Sequence, residues 1–235
     1  MWEFIKNLIV LVLLVLFFNW VFDFGLFETP AKEDKWGLKT TLDKYVEPMD
    51  ASIRKQALSI VTDAPSGINV NDDAWKVWSI YYWVSQNGDY VSDPVGQEYF
   101  IPAHEMLETM AGDCDDFSIL LASMYESVGL DAALVTVDVD DEPGIDHITC
   151  VVYWSGDSQS FIDEEFIILN KMGLTSPTEE LRVLYWSAGT SHSVLGKYKE
   201  GIWIVADATM NYVKGFVGYV THKPYDAHEV IDVGG

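Results

Sequence analysis

Cysteine is scarce in this sequence, and so is positive charge. Only Cys114 and Cys150 occur among its 235 residues, too few for a disulfide framework or a cysteine-based zinc site, so one bridge is the most they offer. Lys and Arg number 14 against 37 Asp and Glu, a net charge of -23. Such a surface repels phosphate backbones and anionic headgroups, which argues against nucleic acid as a partner. There is no G-x-S-x-G nucleophile elbow, no glycine-rich phosphate loop, no internal repeat and no low-complexity tract. What is plentiful is apolar surface: 49% of residues are hydrophobic and 14% aromatic, which excludes a disordered chain and suffices for one substantial domain.

Part of that apolar content is a single run. Leu8 to Phe18 is uninterrupted, and Trp20, Val21 and Phe22 continue it after Asn19. With Phe4 and Ile5 at one end and Phe24 to Phe27 at the other, it reaches the length of about 20 residues needed to span a bilayer. Trp2 and Trp20 then fall near the two interfaces, where indole rings prefer to sit. A cleaved signal peptide is the rival reading, with Lys6 as its charged region, but no small-x-small cleavage site follows. The expectation is a transmembrane anchor over residues 1–27, a polar stalk over 28–50 carrying Pro30 and Pro48, and one domain over 51–235. Lys6 favours a cytoplasmic amino terminus, which would place the domain outside a single-pass cell-membrane protein.

Within the domain, hydrophobic periodicity predicts helices over Ala51 to Val61 and Asp72 to Gln86 and a short one from Pro102 to Met110. Trp75, Trp78 and Tyr82 share a face of the second, and such a stripe is first of all a core-facing one. Period-two alternation marks a strand around Ala133 to Val139 and another over His147 to Trp154, joined by a turn at Pro143-Gly144. The stretch Ser155 to Glu200 reads as an insertion with helices over Phe161 to Asn170 and Glu179 to Trp186. Further strands are expected at Ile202 to Val205 and Phe216 to Val220, with loosely held residues after Pro224.

The chemistry centres on Gly112-Asp113-Cys114-Asp115-Asp116-Phe117, which opens a helix. Phe117, Leu120, Leu121, Met124 and Val128 recur at helical spacing, Ile119 and Ala122 add a second apolar face, and Gly129 is the stop. A cysteine in the first helical turn sits at the positive end of the backbone dipole, which favours thiolate. Asp113, Asp115 and Asp116 oppose this, so a reactive Cys114 needs a cationic partner such as protonated histidine; a buried structural cysteine is the bland alternative. Thiol catalysis needs a base and a group that orients it. His147 opens a strand downstream, and Asp207 ends another in Trp203-Ile204-Val205-Ala206-Asp207-Ala208-Thr209. Cys150 lies three residues from His147 on one strand, so the two side chains face opposite sides, which argues against a Cys114–Cys150 bridge and a His147/Cys150 metal pair. His104 lacks the second histidine of the zinc-peptidase spacing, and His192, His222 and His228 read as solvated loop or tail residues. No metal and no cofactor is expected.

The run Ala103 to Phe117, continuing to Gly129, closely resembles the cysteine motif of the transglutaminase-like superfamily. Asp146-His147 with Val151 to Trp154 resembles its histidine strand, and Trp203 to Thr209 its aspartate motif, in the same order. The aromatic helix and Asp89-Tyr90 resemble the segment leading into that core, so the likeness covers about Ala51 to Val220. It implies a papain-like α+β fold with Cys114 as nucleophile, His147 as general base and acid, and Asp207 as orienter. The implied activity is that of a cysteine peptidase or amidohydrolase working through an acyl-cysteine on a protein, peptide or cell-wall polymer. A cross-linking acyltransferase and a catalytically silent binding module are the alternatives. Two departures stand out: Ala208 replaces the family's common Pro, and the insertion lengthens the gap between His147 and Asp207. No residue matches a second oxyanion donor.

Overall fold

The computed structural model describes residues 42–94, 99–139, 146–174, 183–189, 194–209, 215–218 and 226–234. The expected membrane span lies outside the described residues. Among the described residues no helix is long and apolar enough to cross a membrane.

The fold is mixed α+β, with helices packed on an antiparallel sheet. Helix α1 (Ala51–Thr62) is capped by Asp50, whose carboxylate accepts from the Ser52 and Ile53 N–H groups, and α2 (Asp73–Asn87) by Asp72, which accepts from Ala74. These caps satisfy N–H groups that a helix start otherwise leaves unpaired. Strand β1 (Asp89–Tyr90) pairs in parallel with β2 (Ala111–Gly112), and the short α3 (Ala103–Thr109) lies between them in sequence. Helix α4 (Cys114–Ser127) is buried along nearly its whole length, as its two apolar faces require.

The sheet has the order β5-β6-β4-β3-β7, formed by β3 (Ala132–Asp138), β4 (His147–Trp154), β5 (Tyr185–Ser187), β6 (Ile202–Ala206) and β7 (Asp226–Asp232). Its central strands are apolar on both faces because both are covered. Helix α4 packs on β3 and β4. On the other side Val135, Val137, Val151, Trp203 and Val205 meet Leu195, with Leu184, Trp186 and Tyr198 against them. The described part of the 155–200 insertion therefore belongs to the core: its helix α5 (Ser158–Met172) packs on α2, and its later residues cover the outer sheet face.

Four expectations are corrected. Tyr185, Trp186 and Ser187 form an edge strand paired with Ile204, Trp203 and Ile202 rather than the end of a helix, because aromatic residues suit a half-buried pleated surface. Residues 179–182 lie outside the described residues. Of the expected strand Phe216 to Val220, residues 216–218 lie in a turn, with Gly215 and Gly218 at positive φ values of 102° and 75°, a conformation uncommon in regular strands, and residues 219–220 lie outside the described residues. The carboxy-terminal segment is β7, paired antiparallel with β3, so His228 lies on a strand instead of a loose tail. Packed structure also begins before Ala51: Leu42 is fully buried, and the Glu47 N–H donates to Ser123 Oγ on α4. The Pro143-Gly144 turn, His192 and His222 lie outside the described residues.

Candidate active site

Three elements that are far apart in sequence meet at the amino-terminal end of α4. Cys114 is its first residue, His147 the first residue of β4, and Asp207 follows the last residue of β6. Strands β4 and β6 are direct neighbours, in register through Cys150 opposite Ala206, which brings the start of one beside the end of the other. All three side chains are buried, with exposures of 7%, 4% and 4%.

His147 Nε2 lies 2.5 Å from Asp207 Oδ2, leaving Nδ1 as the ring nitrogen for the thiol, with which the imidazole also hydrogen-bonds. Burial by itself would lower the His147 pKa, but the charge and hydrogen bond of Asp207 and the contact with Cys114 outweigh it and raise the value to about 10. Asp207 is itself held. Its Oδ1 accepts from the Thr209 N–H at 2.9 Å and from Thr209 Oγ1 at 2.8 Å, and its carbonyl accepts from the Tyr81 hydroxyl at 3.1 Å. Ser118 joins the two halves, its hydroxyl lying 2.7 Å from the Cys114 carbonyl and 3.1 Å from that of Ile148. Tyr81 carries no motif, and Ser118 and Thr209 lie within the cysteine and aspartate stretches, but only the folded chain marks the three as supports.

The acidic residues around the thiol have three environments. Asp116 anchors the helix start: Oδ2 accepts from the Asp113 N–H and Oδ1 from the Ile101 N–H. Burial nevertheless raises its pKa to about 6. Asp115 is fully buried, and burial, a hydrogen bond with Asp113 and the Asp113 charge push it to about 11. Both Asp115 oxygens and Asp113 Oδ1 lack a donor if the two groups are ionised. A proton on Asp115, as its raised pKa requires, lets that carboxyl act as a donor and relieves the conflict. Ligand atoms of Asp113, Cys114 and Asp115 lie within 4.8 Å of one another.

The remaining candidates separate from this centre. Both cysteines are free, and Cys150 is fully buried, with burial pushing its pKa well up. His104 Nδ1 is 2.6 Å from Glu47 Oε2, an ion pair and not a metal site. Trp75 and Trp78 are core residues whose indole N–H groups donate to the Val61 and Gly215 carbonyls. Grooves of about 250 and 420 Å³ border α1 and α2, and neither is lined by Cys114, His147 or Asp207.

The sequence profile of the transglutaminase-like superfamily matches residues 64–208, more than half of the chain. Among curated proteins none matches. Two solved structures are similar to part of the chain. A candidate cysteine protease from Cytophaga hutchinsonii is 19% identical with a TM-score of 0.34 over 43% of this chain and 33% of its own. A candidate protease from Parabacteroides distasonis is 16% identical with a TM-score of 0.39 over 48% and 23%. The chain thus spans a third or less of the length of either.

Proposed function

Since the chain belongs to the transglutaminase-like superfamily, we propose that it is a thiol enzyme that opens amide bonds by forming an acyl-Cys114 intermediate, with water as the usual acceptor. The observation that carries this reading is the imidazole held between Cys114 and a fixed Asp207 carboxylate. His147, protonated near neutral pH because its pKa is raised, holds the proton given up by the thiol, and the sulfur attacks the carbonyl carbon of the substrate. The C–S bond forms as the π electrons move onto oxygen, where the Cys114 backbone N–H at the helix terminus can donate to them. The imidazolium then protonates the departing amine as the C–N bond breaks. Water, activated by the same imidazole, releases the acid. Asp207 orients the ring and balances its charge without transferring a proton.

Buried Cys150, with its raised pKa, serves as an internal control for thiol chemistry. Iodoacetamide should modify Cys114 in the folded protein much faster than Cys150, by about 100-fold or more. Cys114→Ser and His147→Ala should abolish turnover of peptide amides, while Asp207→Asn should lower kcat by about 1,000-fold and leave a measurable rate. Equal alkylation of the two cysteines, or turnover that survives Cys114→Ser, would overturn the reading.

A further inference from the structure

An acyl-transfer site needs hydrogen-bond donors where the carbonyl oxygen becomes negative, and the Cys114 N–H supplies only one. The need is greater here than usual, because carboxyl oxygens of Asp113 and Asp115 lie within 4.8 Å of the Cys114 sulfur and oppose a new negative charge beside them. We propose that the Tyr90 hydroxyl is the second donor, touching the acyl oxygen in the transition state alongside the Cys114 N–H. The inference rests on the reading of Cys114 as the acylated nucleophile.

Its basis is placement. Tyr90 lies in register with Gly112, two residues before Cys114. The pairing is fixed by the Asp89 N–H donating to the Met110 carbonyl and the Val91 N–H to the Gly112 carbonyl, both at 2.8 Å. Cys114 is almost wholly covered at 7% exposure, whereas Tyr90 is 58% exposed, so the phenol stands at a solvent-facing rim next to a recessed sulfur. The two groups are close enough to interact electrostatically: after burial, the charge of Cys114 is the largest influence raising the Tyr90 pKa, with Asp113 and Asp115 acting the same way. A phenol so surrounded keeps its proton and can serve as a donor. As a neutral donor, Tyr90 adds no charge that would pair with the aspartates.

The test uses two reactions of the full chain. p-Nitrophenyl acetate acetylates the thiol through a tetrahedral oxyanion and releases p-nitrophenolate. Iodoacetamide forms its C–S bond at a methylene carbon with loss of iodide, so no oxyanion arises. Tyr90→Phe should lower kcat for the ester by about 100-fold with KM changed less than about twofold, while the rate of Cys114 alkylation and the thermal midpoint stay unchanged. An unchanged kcat would overturn the assignment, as would a fall in alkylation that matches the fall in kcat, which would make Tyr90 a support for the nucleophile. If the unsubstituted protein shows no Cys114-dependent ester turnover, the thiol-enzyme reading itself fails and this inference with it.

Discussion

Glu165 shows how a buried group outside the site can shape a pH profile. It lies on α5 at 1% exposure, and its Oε1 accepts from the Val217 N–H at 2.7 Å. Burial raises its pKa to about 8, partly offset by that hydrogen bond. A carboxyl whose folded pKa exceeds its unfolded value of about 4.3 favours folding most when both states are protonated. Its contribution is therefore full below about pH 4 and declines as pH rises toward 8. Asp116 and Asp115 act in the same direction, and His147, raised to about 10, loses its contribution between about pH 6.5 and 10. Glu165→Gln keeps an acceptor for Val217 and removes the ionisation. Urea denaturation should show this variant gaining roughly 4 kcal/mol relative to the parent between pH 4 and pH 8; a pH-independent difference would mean that Glu165 stays charged when buried. At this scale the sequence identified Cys114, His147 and Asp207 through their motifs. Glu165 and Tyr81 were silent because their partners, Val217 and Asp207, lie far along the chain on other segments.

At the level of elements, the start of α4 is the critical joint. A Cβ added to Gly112 would lie 2.5 Å from Asp116 Oδ2 and 2.7 Å from its Cβ. The clash reaches the root of the side chain that ties Asp113 and Ile101 to the helix, so rotation about its outer bonds cannot relieve it. Gly112→Ala should cost roughly 2–4 kcal/mol and slow Cys114 alkylation. Gly173→Ala is the control, since its added Cβ meets nothing within 4 Å and only the positive φ of 69° opposes it, a cost of about 1 kcal/mol. Thermal unfolding of the pair distinguishes a packing joint from an ordinary helix cap; equal losses would reject the special role of Gly112. The helices and central strands were legible because their burial imposes a period on the sequence. The edges were less so: β5 and β7 have few constraints beyond their single neighbours, and two glycines turned an apparent strand at Phe216 into a bend.

Considered whole, the molecule joins an acidic domain to an apolar amino-terminal run. We propose that this run anchors the protein in the cell membrane with the domain outside. With a net charge of -23, electrostatic adhesion to anionic lipid cannot substitute for insertion. The full chain should sediment with membranes through high salt and alkaline washing and require detergent for release, and a chain without residues 1–27 should be soluble. Protease added to intact cells should digest the domain. A soluble mature product beginning after Phe22 would refute the anchor, and protection in intact cells would refute the orientation.

The sequence by itself determined the class of the core, the nature of the Cys114 helix and the order of the three motif residues, because periodicity, helix signals and short motifs are local properties of a chain. Tertiary structure decided what lies between them. Pairing of β4 with β6 brought the His147 and Asp207 side chains to 2.5 Å, and pairing of β1 with β2 set Tyr90 beside Gly112. The same packing buried Asp115 deeply enough to raise its pKa to about 11. Each of these depends on which distant surfaces exclude water together, and no window along the chain contains that information.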